Sequence, residues 1–172
     1  MVVAAKSSPK ALNAKANLNK NTLQCPQSQA QIYKGKVMEI IKESFFEVIK
    51  NSIGVEPEES IIPLKKGYMT SIEMIGTGKN VLLVFNKPFL KIMCLNFLSE
   101  SAPTPEALED MARELANLTV GHAKVIAQGR DTNFNISTPS FLGVHNVTDY
   151  DQGIHFRLKG TGHCSIFLRA KQ

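Results

Sequence analysis

The sequence predicts an α+β fold, an antiparallel β-sheet with long helices packed on it. Three observations lead there. Apolar residues recur at the helical period in three stretches. Short apolar runs flank two glycine turns, Gly76-Thr77-Gly78 and Gly160-Thr161-Gly162, as hairpins require. Helix followed by strands occurs twice along the chain, the order an old duplication leaves, although the two halves share no convincing residue pattern.

The elements follow in order. Residues 1 to 31 are rich in Ala, Ser, Asn, Gln and Lys and lack apolar periodicity, so a flexible extension is expected. Organised sequence is expected from Ile32. Val37, Ile40, Ile41, Phe45, Val48 and Ile49 form a helical stripe, and Gly54 suits a left-handed cap behind Ile53. Ile61 to Leu64 and Tyr68 to Ile75 read as strands, the first an edge strand because of Pro63. After the Gly76 turn, Val81 to Phe85 returns as the hairpin partner. Its GTGK string lacks the spacer between glycines and the following helix that a phosphate loop needs. Lys87 to Leu98 has helical spacing. Thr104-Pro105-Glu106 marks a helix start, with Thr as cap, Pro in the first turn and Glu near the positive end of the dipole. That helix is expected to run to Gln128, before Gly129. Asn133 to Thr138, Gly153 to Leu158 and Cys164 to Arg169 read as the closing strands.

Composition bounds the function. The 172 residues are 43% hydrophobic and 20% charged, globular values in a length that suits one domain. No run of apolar residues is long enough to span a membrane, so membrane insertion is not expected. The start lacks a secretory signal pattern, and the expected compartment is the cytoplasm. The formal charge is +5, but Lys6, Lys10, Lys15 and Lys20 lie in the acid-free first 31 residues and leave a body near neutrality. A basic tail on a neutral body is not the spread basic face of a nucleic-acid reader. Cys25, Cys94 and Cys164 are scattered and odd in number, which fits neither a disulfide framework nor a structural zinc site.

The helix from Thr104 carries the functional reading. At 100° per residue, Leu108, Met111, Leu115, Leu118, His122, Val125 and Ile126 gather on one side, expected to face the sheet. Asp110, Glu114, Asn117, Gly121, Lys124 and Gln128 lie on another. Glu114 and Asn117 are neighbours one turn apart. Gly121 follows a turn later, where glycine costs about 1 kcal/mol against alanine and would let another protein approach closely.

The run Glu114-Leu115-Ala116-Asn117-Leu118-Thr119-Val120-Gly121-His122-Ala123-Lys124 resembles the signature helix of the CheC/CheX/FliY family of chemotaxis phosphatases: Glu-x-x-Asn, apolar residues, then Gly-x-Ala. Lys79 to Leu98 resembles the family's strand and helix ahead of the signature, and Ile136-Ser137-Thr138-Pro139-Ser140 its Ser-x-Pro strand behind it. With one Glu-x-x-Asn only, the chain is similar to the single-site CheX type. His122 and Thr119 depart from the common pattern and read as packing variation on the inward stripe.

The resemblance implies a CheC/CheX-like fold over residues 32–172. It also implies hydrolysis of the aspartyl phosphate on a CheY-type receiver domain. By the same resemblance, Asn117 orients the attacking water, Glu114 docks the receiver through its lysine, Gly121 permits close approach and Lys124 is a rim contact. No cofactor of its own is implied; Mg²⁺ is expected on the partner receiver. A homodimer joined through sheet edges is implied as well. The alternative is a catalytically silent module that binds a response regulator or flagellar component.

Overall fold

A computed structural model of the chain describes residues 26–130 and 132–171. Helix α1 spans Pro26–Ile53, β1 Glu58–Ser60, β2 Lys66–Ile75, β3 Lys79–Phe85, α2 Lys87–Leu98 and α3 Pro105–Gln128. The chain closes with β4 at Asn135–Ile136, β5 at Ser140–Asn146, β6 at Gln152–Leu158 and β7 at Gly162–Ala170. The fold is α+β, with every strand pair antiparallel.

The first helix begins six residues ahead of Ile32, inside the stretch read as an extension. Pro26 suits a first helical turn, and Gln and Ala after it are good helix formers that carry no apolar stripe. The rest of the basic tail lies outside the described residues. Farther on, Val37, Ile40, Ile41, Phe45 and Ile49 are buried, and Gly54, at φ 68°, ends the helix as expected.

The sheet runs β1-β6-β7-β3-β2-β4, and β5 also pairs with β2, alongside β4. Its centre is the β3–β7 pair, where Leu83 faces Ile166. β2 and β6, the hairpin partners of β3 and β7, flank that pair. β1 is added outside β6, and β4 and β5 outside β2, so the sheet has an approximate two-fold arrangement.

Two strand readings need correction. Ile61 to Leu64 is not a strand; pairing ends at Ser60, and Ile61 and Ile62 project into solvent at 96% and 56% exposure. Pro63 offers no N–H to extend the ladder. The Leu64 N–H instead donates to Ser165 Oγ at 2.8 Å. Of Asn133 to Thr138, only Asn135 and Ile136 pair as strand, whereas β5 gave no clear sequence signal. Gly143, at φ 92°, lies at a register shift against Met69 and Thr70 that interrupts the alternation a strand shows in sequence.

One face of the sheet carries the helices and the main core. Phe45 of α1 stacks on Phe156 at 4.4 Å between ring centroids, and Phe89 of α2 lies 5.3 Å from Phe85. Side chains of this kind contribute about 1.5–3 kcal/mol each when fully buried. The other face holds a smaller cluster of Met69, Leu82, Val84, Val147 and Phe167, with Leu64, Leu142 and Tyr150 packed against it. Among the described residues no helix is long and apolar enough to cross a membrane.

Candidate functional site

Helix α3 positions the candidate residues, and its ends form as the sequence predicts. Thr104 Oγ1 accepts the Ala107 N–H at 3.2 Å, Pro105 opens the helix, and Glu106 stands in the first turn. Its buried face is Leu108, Met111, Ala112, Leu115, Ala116, Thr119, Val120, Ala123 and Ala127.

This corrects the expected inward stripe. Val125 is 62% exposed, Leu118 and Ile126 are half-buried, and His122 lies at the surface between helices. The helix packs against both the sheet and α1, so the buried arc turns toward its small residues, which permit a close helix–helix approach. The two helices meet where buried Ser44 donates to the Thr119 carbonyl at 2.6 Å. His122 Nε2 lies 2.5 Å from Glu47 Oε2 on α1, so it makes a polar cross-helix contact and is not inward packing. Thr119 is buried, as packing variation requires.

On the opposite side Glu114 and Asn117 are exposed, and neither side chain forms a hydrogen bond or ion pair with a described residue. Both line one cleft of about 700 Å³. The end of α2 contributes Phe97 and Leu98 to it, α3 contributes Asp110, Met111, Arg113, Glu114 and Asn117, and the β4 segment contributes Ile136 to Pro139. Ser137 fixes that last wall: its N–H donates to the Glu73 carbonyl at 3.0 Å, and its Oγ accepts the Glu73 N–H at 2.9 Å. Arg113 pairs with Asp110, one turn back along α3.

The structure therefore brings Glu114 and Asn117 together in one open cleft. Gly121 and Lys124 lie farther along the same ridge and do not line it. Beyond its own helical turn, a Cβ at Gly121 would meet nothing within 4 Å among the described residues, so no contact with them requires a glycine there. Sequence reasoning passed over Arg113, Phe97 and Leu98. Arg113 could have been found from its place four residues before Asn117, on the same helical face. The α2 residues could not, because the turn that brings them beside α3 is set by tertiary packing.

Chemically, the cleft offers an unpaired carboxamide that can both donate to and accept from a water, a carboxylate one turn away, and apolar walls. Among the described residues no group of three or more His, Cys, Asp or Glu side chains could hold a metal ion. Cys94 and Cys164 are buried free thiols, and burial pushes both up from the usual thiol range.

The architecture is that of the CheC/CheX-like proteins. Chemotaxis protein CheX from Vibrio vulnificus superposes with a TM-score of 0.64 at 19% identity, over 77% of this chain and 96% of that one. A CheC-like superfamily protein from Shewanella sp. PV-4 gives 0.60 at 20% identity, over 78% and 97%. The chain is also similar to a structure of the CheX–CheY–BeF₃–Mg²⁺ complex from Borrelia burgdorferi, with a TM-score of 0.63 at 14% identity, over 79% and 98%. No family model and no curated protein sequence matches the chain. At these identities the likeness is one of fold.

Proposed function

We propose that the protein hydrolyses the aspartyl phosphate of a CheY-type receiver domain in chemotaxis signalling, acting in the cytoplasm. The observation that carries this reading is the pair Glu114 and Asn117, exposed and unpartnered in one cleft of a CheX-like fold. The solved complex of CheX with CheY supplies the class of partner.

Water attacks phosphorus, the bond from phosphorus to the aspartyl oxygen breaks, and the receiver regains its carboxylate as inorganic phosphate leaves. Phosphoryl transfer of this kind depends on positioning and charge stabilisation more than on covalent help. Asn117 orients the water in line with the breaking bond. A carboxamide is no general base, and the activated acyl phosphate does not require one. Glu114 pairs with the receiver's lysine and seats α3 over the phosphorylated pocket. Mg²⁺ held by the receiver supplies charge neutralisation. Gly121 lets the receiver come close to the ridge, and Lys124 contacts its rim.

The test is the decay of a phosphorylated receiver with and without the protein. Asn117→Ala is expected to keep binding and to slow turnover by roughly 10²–10³-fold, as for loss of one transition-state-organising group. Unaltered turnover in that variant would end the mechanism. Binding without acceleration by the wild-type protein would leave a silent docking module in its place.

A further inference from the structure

This inference rests on the reading above and concerns how the cleft selects its partner. Arg113 is the one cation among the described residues lining the cleft, against two carboxylates, Asp110 and Glu114. Without Arg113 the charged groups of the cleft's own lining would all be carboxylates, and like charges disfavour encounter with an acidic partner surface. Arg113 precedes Asn117 by four residues and so shares its face of α3, one turn away.

The guanidinium is held by Asp110, one turn back on the same helix, through Nη2 alone. Both members of that pair are solvated, at 44% and 71% side-chain exposure, and such pairs are weak. Arginine carries five donors in a planar fork that suits a carboxylate. Asp110 thus keeps the guanidinium in the cleft without exhausting it. A receiver that holds Mg²⁺ does so with oxygen ligands, carboxylates among them, which makes a carboxylate the expected counterpart of a cation at the edge of that pocket.

We propose that Arg113 is the partner-selecting residue of this cleft, docking on a carboxylate at the acidic rim of the receiver's phosphorylation pocket, with Asp110 as its positioning residue. The contact is made at the rim and not with the transferring phosphoryl group, so it governs affinity and salt dependence more than the chemical step.

The experiment titrates the full chain with a CheY-type receiver loaded with Mg²⁺ and beryllium trifluoride, at low and high salt, and measures KM and kcat for decay of the phosphorylated form. Arg113→Ala is expected to weaken binding about two- to fivefold at low salt. Its binding should also depend less on salt. Arg113→Glu is expected to weaken binding roughly tenfold or more through like-charge contact. Arg113→Lys keeps the charge but not the fork and restores part of the affinity, and kcat stays within about twofold in all three. Thermal melts that match the wild type exclude misfolding. Wild-type affinity at low salt in both Arg113→Ala and Arg113→Glu overturns the proposal, as does a fall in kcat at constant KM. If the wild-type protein binds the loaded receiver without hastening decay, the hydrolytic reading fails while the Arg113 variants still decide this one. If it binds no receiver, both fail.

Discussion

Gly121→Ala separates a glycine kept for packing from one kept for a partner. The position lies inside α3, half-exposed, and beyond its own helical turn an added methyl would meet no atom of the described residues within 4 Å. Folding should therefore gain the difference in helix propensity, about 0.8–1 kcal/mol. In a domain of this size that corresponds to a rise in Tm of about 2–4 °C. The same methyl would stand on the ridge one turn beyond Asn117, where the receiver must approach. A displacement of about 1 Å at a reacting centre can cost on the order of 10²-fold in rate. The variant should therefore melt higher and yet lower kcat/KM for the phosphorylated receiver by roughly ten- to hundredfold. Calorimetry and the decay assay read the two effects separately. A lower Tm would contradict the open space around Gly121, and a stabilised variant with full activity would remove any docking role for the glycine.

Glu114→Ala should weaken engagement of the phosphorylated receiver and lower its decay rate; unchanged affinity and rate in a titration would remove the docking role. The pH dependence of stability should carry a contribution from His155, which lies beside Phe167 and 2.9 Å from Ser165 Oγ. Burial pushes its imidazole below the usual histidine range, the Lys65 charge adds to this, and a hydrogen bond with the Ile154 backbone opposes it. The unfolded chain then takes up the proton more readily, so stability is undiminished above about pH 6.5 and falls as pH drops below that value. Urea midpoints should decline less with acidification in His155→Asn than in the wild type, and parallel declines would refute the assignment. Sedimentation should give a dimer if an end strand of the sheet, β1 or β5, joins a second copy; a monomer at all working concentrations would exclude it.

The fold was legible where local chemistry decides. Thr104, Pro105 and Glu106 set the start of α3, and Gly54 ends α1, through interactions within a turn of each residue. The β2–β3 and β6–β7 hairpins were equally plain from their glycine turns. Illegible were the features that packing decides. The buried side of α3 turned toward Ala112, Ala116 and Ala123 because a second helix lies against it, and hydropathy alone could not weigh alanine above Val125. β5 is held by pairing with β2 across a bulge and announces itself nowhere in its own residues. Glu114 and Asn117 stood out by spacing. The cleft around them did not, since α2 and the Ser137 segment reach it from distant parts of the chain.

The two-fold arrangement of the sheet extends to the helices, and it singles out one lysine. Each long helix reaches a glycine ten residues past the point where Ser44 meets Thr119, at Gly54 and at Gly129. Counting back from the same point, Glu39 holds on α1 the place that Glu114 holds on α3, and Lys42 the place of Asn117. Lys42 Nζ lies 2.6 Å from Glu59 on β1, the outermost strand of its own half. The corresponding station on α1 is also open, a smaller cleft of about 370 Å³ lined by Glu39 and Lys42. But it presents an ammonium group held by a carboxylate where α3 presents a carboxamide without a partner among the described residues, so the two halves of a near-symmetric body offer different chemistry.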